Sequence, residues 1–341
     1  MTLAIQHNVS LTALNTLALP AKADAYCRID DDQQLVDALA WAKAEGVAPL
    51  VLGGGSNCVF SQDIAGVVLH LTQRGIVATE HDGEVTVAVA AGENWDALVR
   101  YSLEQGWYGL ENLIAIPGSA GAAPVQNIGA YGLELAERLL WVEGWDLETA
   151  SLRRLDRDQC KLAYRDSIFK SSLRDRFVIC RLGLRLSRRP ETSAQYPALR
   201  DYLRQQGQNP EALHPQVLAA AVAAIRASKL PDYRREPNAG SFFKNPLVCA
   251  DHADALRREH ADMPCWPMDD GRVKLPAAWL VEQCGWRGRR VGRVGVHPRQ
   301  AIVLVNYDHA RGEELLALAA DIQASVEARF GVSLDIEPRV Y

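Results

Sequence analysis

Two glycine-rich stretches constrain this chain more than anything else in it. The first, LGGGSNCVF at 52–60, sets three consecutive glycines directly after the apolar run APLVL. Glycines there expose backbone N–H groups and admit positive φ, so the loop can wrap a pyrophosphate with no Cβ in the way. Ser56 and Asn57 add short donors. No GxGxxG opens a helix and no GK[ST] follows, so this is neither a Rossmann fingerprint nor a P-loop. Taken alone, it also reads as a tight turn. The second stretch, IPGSAGAAPVQNIGAYG at 116–132, is too rich in Gly, Ala and Pro for a regular element. Gly118, Ser119, Gly121, Ala122 and Ala123 allow a flat ring or a diphosphate to lie against the backbone. Gln126 and Asn127 can offer amides to a polar ring edge. The alternative is a buried irregular loop, whose backbone polar groups would still need partners; a cofactor would supply them.

Around these loops the pattern is mixed α and β. Helices are predicted at 32–46, ending on Gly46, and at 94–106, from an Asn94 N-cap to Gly106. Strands are predicted at 66–71 and 84–92. LWVEGWDL and RFVICRLGLRL read as further strands with a short polar helix between them. RRPETSAQYP at 188–197 reads as a loop. Later come helices at 214–229 and 276–285, a buried strand at 300–306, and a long helix carrying Leu315, Leu318, Ile322, Val326 and Phe330. A domain boundary is expected near 200–215.

Length and charge narrow the class. A chain of 341 residues exceeds one ordinary core. A net charge of −5 recruits neither nucleic acid nor an anionic membrane. The seven cysteines are scattered without a CxxC, as expected of reduced thiols in the cytoplasm. The eight histidines form no HExxH, so no metal site is implied. No signal peptide is read at the N-terminus, and no apolar run reaches the roughly 20 residues that span a bilayer.

Three further segments carry candidate chemistry. In YRDSIFK (164–170), Arg165 can hold a carboxylate bidentately or form a surface salt bridge. In NAGSFFKNP (238–246), strand alternation puts Ser241 and Phe243 on one face, with Phe242 and Lys244 on the other. Ser241 there is a reactive hydroxyl or merely the cap of a strand edge. In SLDIEPRVY, Glu337 follows an alternating apolar run and projects into a cleft or into solvent.

In this order the segments resemble the flavin-dependent UDP-N-acetylenolpyruvoylglucosamine reductases of bacterial peptidoglycan synthesis. The likeness rests on SLTALNTLAL, GGGSN, PVQNIGAYG, YRDSIFK, KLPD, NAGSFFKNP, VHPRQAIVLVN and IEPRV, and so runs along nearly the whole chain. YRDSIF and the stretch around Tyr196 resemble the larger subtype, with a tyrosine-bearing loop over the substrate. The resemblance implies an α+β fold. Two FAD-binding subdomains of the PCMH/vanillyl-alcohol-oxidase type would occupy 1–72 and 73–212. A C-terminal α+β substrate-binding domain would occupy 213–330, and 331–341 would return to the active site.

It also implies non-covalent FAD, NADPH as co-substrate, and reduction of UDP-N-acetylglucosamine enolpyruvate to UDP-N-acetylmuramate by a cytoplasmic monomer. Arg165 and Glu337 would stabilise the enolate, and Ser241 would protonate its carbon. Tyr131, Tyr196, Arg226, Lys229, Lys244, Asn245 and Gln300 would hold the substrate. Gly53, Gly54, Gly55, Ser56, Asn57, Gly118, Ser119, Gly121, Ala122, Ala123, Gln126, Asn127 and Ile128 would hold FAD. Some members carry serines where Ala122 and Ala123 stand, so hydrogen bonds there are expected from backbone. The chain ends soon after Glu337 where several relatives continue, so little tail is expected to order that residue. Two other readings remain at this stage: an FAD oxidase of the same superfamily acting on an alcohol, and a flavin-free sugar-nucleotide-binding paralogue.

Overall fold

The structure is a computed structural model that describes residues 3–341. Its contacts divide the chain into two units. Unit 1 takes the chain up to Val9, Ala23–Gly54 and Ala65–Ser228; unit 2 takes Ser10–Lys22, Gly55–Ile64 and Lys229–Tyr341. Residues 213–228 thus lie with unit 1, and two short early segments join unit 2. The finer split of the first 212 residues at residue 72 is our proposal.

Unit 1 holds two larger sheets. One orders the strands Gln6–Ser10, Lys22–Ile29, Ile64–Leu71 and Pro49–Leu52, the last two parallel. Helix α1 (Asp32–Glu45) begins where Asp31 accepts from Gln34 N at 2.8 Å and stops at Gly46. Its Leu35, Ala38 and Ala42 pack with Cys27, Ile29, Val67 and Leu69 in a small core.

The other sheet is antiparallel, ordered Ser151–Asp156, Leu139–Asp146, Phe177–Ser187, Glu84–Ala90 and Ile76–His81. The expected polar helix between the second and third of these strands is absent. SLRRLD forms the edge strand Ser151–Asp156, and two 3-10 turns, Arg157–Cys160 and Ile168–Lys170, follow it. Its charges serve the edge: Arg154 lies 4.0 Å from the Trp141 ring centroid and bonds Glu143 at 2.9 Å. Exposed charge on an edge strand discourages further pairing, and that polarity resembles a helix surface when read as sequence.

The strand Phe177–Ser187 serves two cores. Opposite Glu143–Gly144 its register slips, leaving Cys180 as an extra residue. Val178 and Cys180 face the small core, whereas Leu182, Leu184 and Leu186 face the large one. A one-residue bulge exchanges the faces of a strand. The large core also takes Trp95, Leu98 and Val99 from α2 (Trp95–Glu104), Leu199 and Leu203 from α3 (Pro197–Gln205), and Leu218, Val222 and Ile225 from α4 (Pro215–Lys229). Asn94 caps α2 by accepting from Ala97 N at 2.9 Å, but Gln105, not Gly106, closes it. Residues 188–196 are neither helix nor strand.

Unit 2 is built on the antiparallel sheet Asn238–Ser241, Val303–Asn306, Val294–Val296 and Arg290–Val291. Beside it are α5 (Ala250–Glu259), α6 (Ala277–Gln283) and α7 (Gly312–Phe330). The five apolar positions predicted for the last helix are all buried. The early segment 10–22 enters this core through Leu17 and Leu19. Asn15 fixes its bend: Nδ2 donates to Leu11 O and Leu19 O, and Oδ1 accepts from Leu19 N at 2.9 Å.

No helix among the described residues is long and apolar enough to cross a membrane. All seven cysteines are free, and burial pushes the Cys58, Cys160 and Cys180 thiols up to about 12. Cys249 is exposed, while Cys265 and Cys284 are half-buried with raised pKa. Thiolate is the reactive form. Titration of the native protein with an aromatic disulfide reagent at pH 8 should therefore give one fast equivalent, lost in Cys249→Ser. The four buried thiols should react only after denaturation; several fast equivalents in the native protein would contradict this packing.

Candidate functional site

In unit 1 the two glycine loops meet backbone to backbone. A Cβ added to Gly54 would lie 2.9 Å from Gly118 Cα, and one added to Gly53 would overlap Ser119 Oγ. The glycines thus serve loop-on-loop contact as well as any ligand. The second loop is more regular than expected, forming a 3-10 helix over Ala120–Gln126. Main-chain bonds seat it: Ala120 N donates to Glu93 O at 2.8 Å and Gly121 N to Ala91 O at 2.9 Å. Ala122 is exposed and Gln126 half-buried.

Asn127 and Ile128 depart from expectation. Asn127 is fully buried, its Nδ2 donating to Glu134 Oε2 at 2.7 Å and Ala163 O at 3.2 Å, while Oδ1 accepts from Ala136 N at 2.9 Å. That amide is consumed inside the protein and is not presented to a ring edge. Ile128 N donates to Ala123 O, and its carbonyl accepts from Leu135 N. Both residues hold the loop from behind.

YRDSIFK packs against the same loop. Ala163 and Asp166 exchange main-chain bonds at 3.1 Å, which folds Tyr164–Arg165 into a tight turn with Arg165 at φ +52. Arg165 Nη2 donates to Gly129 O at 3.2 Å, Ser167 Oγ to Val125 O at 2.6 Å, and Lys170 Nζ to Arg165 O at 2.9 Å. The second and third sequence motifs are therefore one structure.

Arg226 on α4 donates through Nε to Ala115 O at 3.2 Å. Burial holds its pKa below the ordinary value; Tyr131 acts to raise it, and the nearby Arg165 charge lowers it. Tyr131 is held above its ordinary value by burial, against the pull of Arg226. The Tyr196 ring meets Tyr131 edge-on, with centroids 5.4 Å apart at 77°. Arg165, Arg226, Tyr131 and Tyr196 thus form one cluster, with two cations close enough to oppose each other.

One residue escapes the motif reading. Asn112, buried on the turn Glu111–Leu113, donates from Nδ2 to both Tyr131 O and Ser193 O. The available signal was GLENL, a polar pair between leucines.

In unit 2 the exit of the first glycine loop is laced to the Ser241 strand. Gly55 sits at φ +60, where a Cβ would overlap Leu14 O. Thr16 N donates to Gly55 O and Asn238 N to Thr16 O, both at 3.0 Å. The strand bulges between Asn238 and Ser241, with Gly240 at φ +70. The strand ends at Ser241, and beyond it the expected alternation is lost: Phe242 and Phe243 are both buried in one core, rings 5.5 Å apart at 76°. Ser241 remains exposed.

The chain's end returns to this strand. Glu337 N donates to Phe242 O and Lys244 N to Asp335 O, each at 2.9 Å, and Phe243 bridges Ile336. Arg339–Val340 then pairs in parallel with Cys58–Val59, with Arg339 N donating to Asn57 O at 3.0 Å. The ladder with Phe242–Lys244 sets Glu337 opposite Phe242, the residue next to Ser241 in sequence. Asn245 Oδ1 accepts from Ala277 N at 3.0 Å and caps α6, so only its NH2 can face a ligand. Lys244, Gln300 and Glu337 are half-buried, and Lys229 is exposed.

A family model for the UDP-N-acetylenolpyruvoylglucosamine reductase C-terminal domain matches residues 232–341, and one for an FAD binding domain matches residues 23–156. Reductases of that name from Pseudomonas putida and Chromobacterium violaceum are 43% and 44% identical, each over the full length of both chains. The chain belongs to the UDP-N-acetylenolpyruvoylglucosamine reductase family. The crystal structure of the Thermus caldophilus reductase covers 100% of this chain and 99% of its own at a TM-score of 0.68, with 21% identity, and shares the fold. The FAD-binding and reductase C-terminal domains expected from sequence are both present.

The unit 1 loops fit the flavin dinucleotide that such a domain binds. Side chains at Gly53 and Gly54 would fill the contact on which the cradle depends. Gly54→Val should wedge the two loops apart, since its branches start within 3 Å of Gly118. The purified variant should carry less than about a tenth of the wild-type flavin absorbance while losing only about 1–3 kcal/mol of apoprotein stability. Full flavin content would show that the loop contact is not needed for binding.

Proposed function

We propose that this chain is an NADPH-dependent flavoenzyme that reduces UDP-N-acetylglucosamine enolpyruvate to UDP-N-acetylmuramate for peptidoglycan synthesis. The observation that carries the reading is the pairing of Phe242–Lys244 with Asp335–Glu337, which supports a hydroxyl and a carboxyl group acting on one substrate. Gly53–Asn57, Gly118, Ser119, Gly121–Ala123 and Gln126 would hold FAD non-covalently, with Asn127 and Ile128 behind them. Bound FAD would supply the redox chemistry, taking hydride from NADPH and giving it to the vinyl carbon of the enolpyruvyl group.

The protein's own residues then manage charge and protons. Negative charge develops beside the vinyl carbon and spreads into the carboxylate. Arg165 would hold that carboxylate, an interaction that strengthens as the enolate forms and so lowers the barrier. Its tight turn supports the role, because a guanidinium fixed in advance costs no reorganisation. Glu337 would hold the other carboxylate edge, protonated or through a water. Ser241 Oγ–H would give its proton to the carbanionic carbon, and the exposed oxygen would regain one from solvent. Arg226 and Lys229, three residues apart at the end of α4, would take the diphosphate, with Tyr196, Tyr131, Lys244, Asn245 and Gln300 on the nucleotide and sugar. We further take the enzyme to be a cytoplasmic monomer whose partners are these small molecules, without nucleic acid or membrane.

The half-reactions separate these roles. The purified protein should be yellow, bleach with NADPH under anaerobic conditions, and recolour with the enolpyruvyl substrate. Ser241→Ala should bleach at the wild-type rate and recolour about 10²–10⁴-fold more slowly, the span expected for a positioned proton donor. Equal loss in both steps would make Ser241 structural. Reoxidation by oxygen alone, indifferent to the sugar nucleotide, would favour an alcohol oxidase instead.

A further inference from the structure

We infer that Asn112 is a positioning residue: its buried amide sets the distance between the flavin-loop tyrosine, Tyr131, and the loop that carries Tyr196. The inference rests on the function proposed above, in which Tyr196 closes over substrate.

Residues 188–196 have no helix or strand to shape them, so side-chain tethers and burial must do it. Arg188 pins the start of the stretch to Glu80 and Gln105 O, and three more tethers within unit 1 hold residues 192–194. Ala194 is buried in the large core, Thr192 Oγ1 donates to Leu213 O at 3.2 Å, and Asn112 Nδ2 donates to Ser193 O at 3.0 Å. Only the last also reaches the flavin loop, through its second proton, to Tyr131 O at 2.9 Å. Tyr131 sits at φ +50, a conformation a tyrosine seldom takes without being held there. Three residues beyond Ser193, the Tyr196 ring completes the circuit by packing edge-on against Tyr131.

Asn112 is 3% exposed, between Leu110 and Leu113, which are also buried. Trp95 Nε1 donates to Leu113 O at 3.0 Å, and Gly109 N donates to both carboxylate oxygens of Glu111 at 2.9 Å. Arg138 Nε donates to Gly109 O from the other side.

The residue type follows from the job. A primary amide nitrogen has two protons in fixed directions, so one nitrogen can hold two carbonyls at a set spacing. An ionised aspartate has none, a leucine has none, and a serine has one. Losing both donors would leave two part-buried carbonyls without their partner. The loop would then sample other positions, and substrate would bind only to the fraction correctly placed.

The test uses full-length, FAD-loaded protein and stopped-flow absorbance. Asn112→Asp and Asn112→Leu should leave the rate and KM of flavin reduction by NADPH within about threefold of wild type. In the second half-reaction the KM for UDP-N-acetylglucosamine enolpyruvate should rise about tenfold or more, with the limiting rate within about threefold. On a Tyr196→Ala background the same substitutions should add less than about threefold, because the ring they position is gone. Should the Asn112 variants not load FAD, Thr192→Val, which loosens the neighbouring tether alone, should raise the same KM a fewfold. An unchanged KM, equal loss in both half-reactions, or full additivity with Tyr196→Ala would overturn the inference. If wild-type reduced flavin is not reoxidised by the enolpyruvyl substrate, the functional reading fails first, and the inference with it.

Discussion

The short ladder between Phe242–Lys244 and Asp335–Glu337 is what unit 2 depends on for any chemistry. It joins segments far apart in the chain, and the entropy lost by closing so long a loop grows only slowly with length. Burial makes the closure hold. Phe242, Phe243, Val332 and Leu334 all sit in one core, and Gln323 Nε2 donates to Leu334 O at 2.6 Å. Both phenylalanines lie beyond the last residue of the strand, Ser241, so strand alternation does not govern them. A strand continued through them would have turned one to each face. The end of the strand, the double burial and the docking of the C-terminal segment meet at Ser241, which stays exposed.

Unit 1 uses small residues differently. Gly54 against Gly118 is a contact between two main chains, each carrying its own polar groups past the other. The side chains that lock this region come from outside the glycine runs: Asn127 from behind, Ser167 and Arg165 from the following turn, and Asn112 from below Tyr131. Buried polar residues of this kind must be satisfied in full, and Asn127 is, with three bonds from one amide.

The sequence disclosed what is periodic or compositionally extreme. α1, α2 and α7 were legible from spacing and caps, the two glycine loops from composition, and the order of motifs from end to end. It hid what depends on partners distant in the chain. The stretch between LWVEGWDL and RFVICRLGLRL reads as holding a polar helix because nothing local says that SLRRLD will lie at a sheet edge beside Trp141 and Glu143. Phe242 and Phe243 read as alternating because nothing local says that the strand ends at Ser241. Asn127 reads as a donor to a ligand because its three internal partners lie 7, 9 and 36 positions on, at Glu134, Ala136 and Ala163. Asn112 was invisible for the same reason: a lone buried amide announces nothing until both carbonyls it holds are in view.

The electrostatics of unit 1 give these devices a purpose. Arg226 is held below its ordinary pKa by burial, and the Arg165 charge pushes in the same direction, while Tyr131 offsets only part of this. Burying a guanidinium beside a second cation is costly. The free protein thus keeps two guanidinium groups close together in a partly desolvated place. Such a cluster persists only if the surrounding structure enforces it, which the Ala115 and Gly129 carbonyls and the turn at Ala163–Asp166 do. In the proposed function an anionic substrate would relieve both penalties at once, and one with two separated anionic groups would engage both cations, while the polar staples keep the arginines from moving apart.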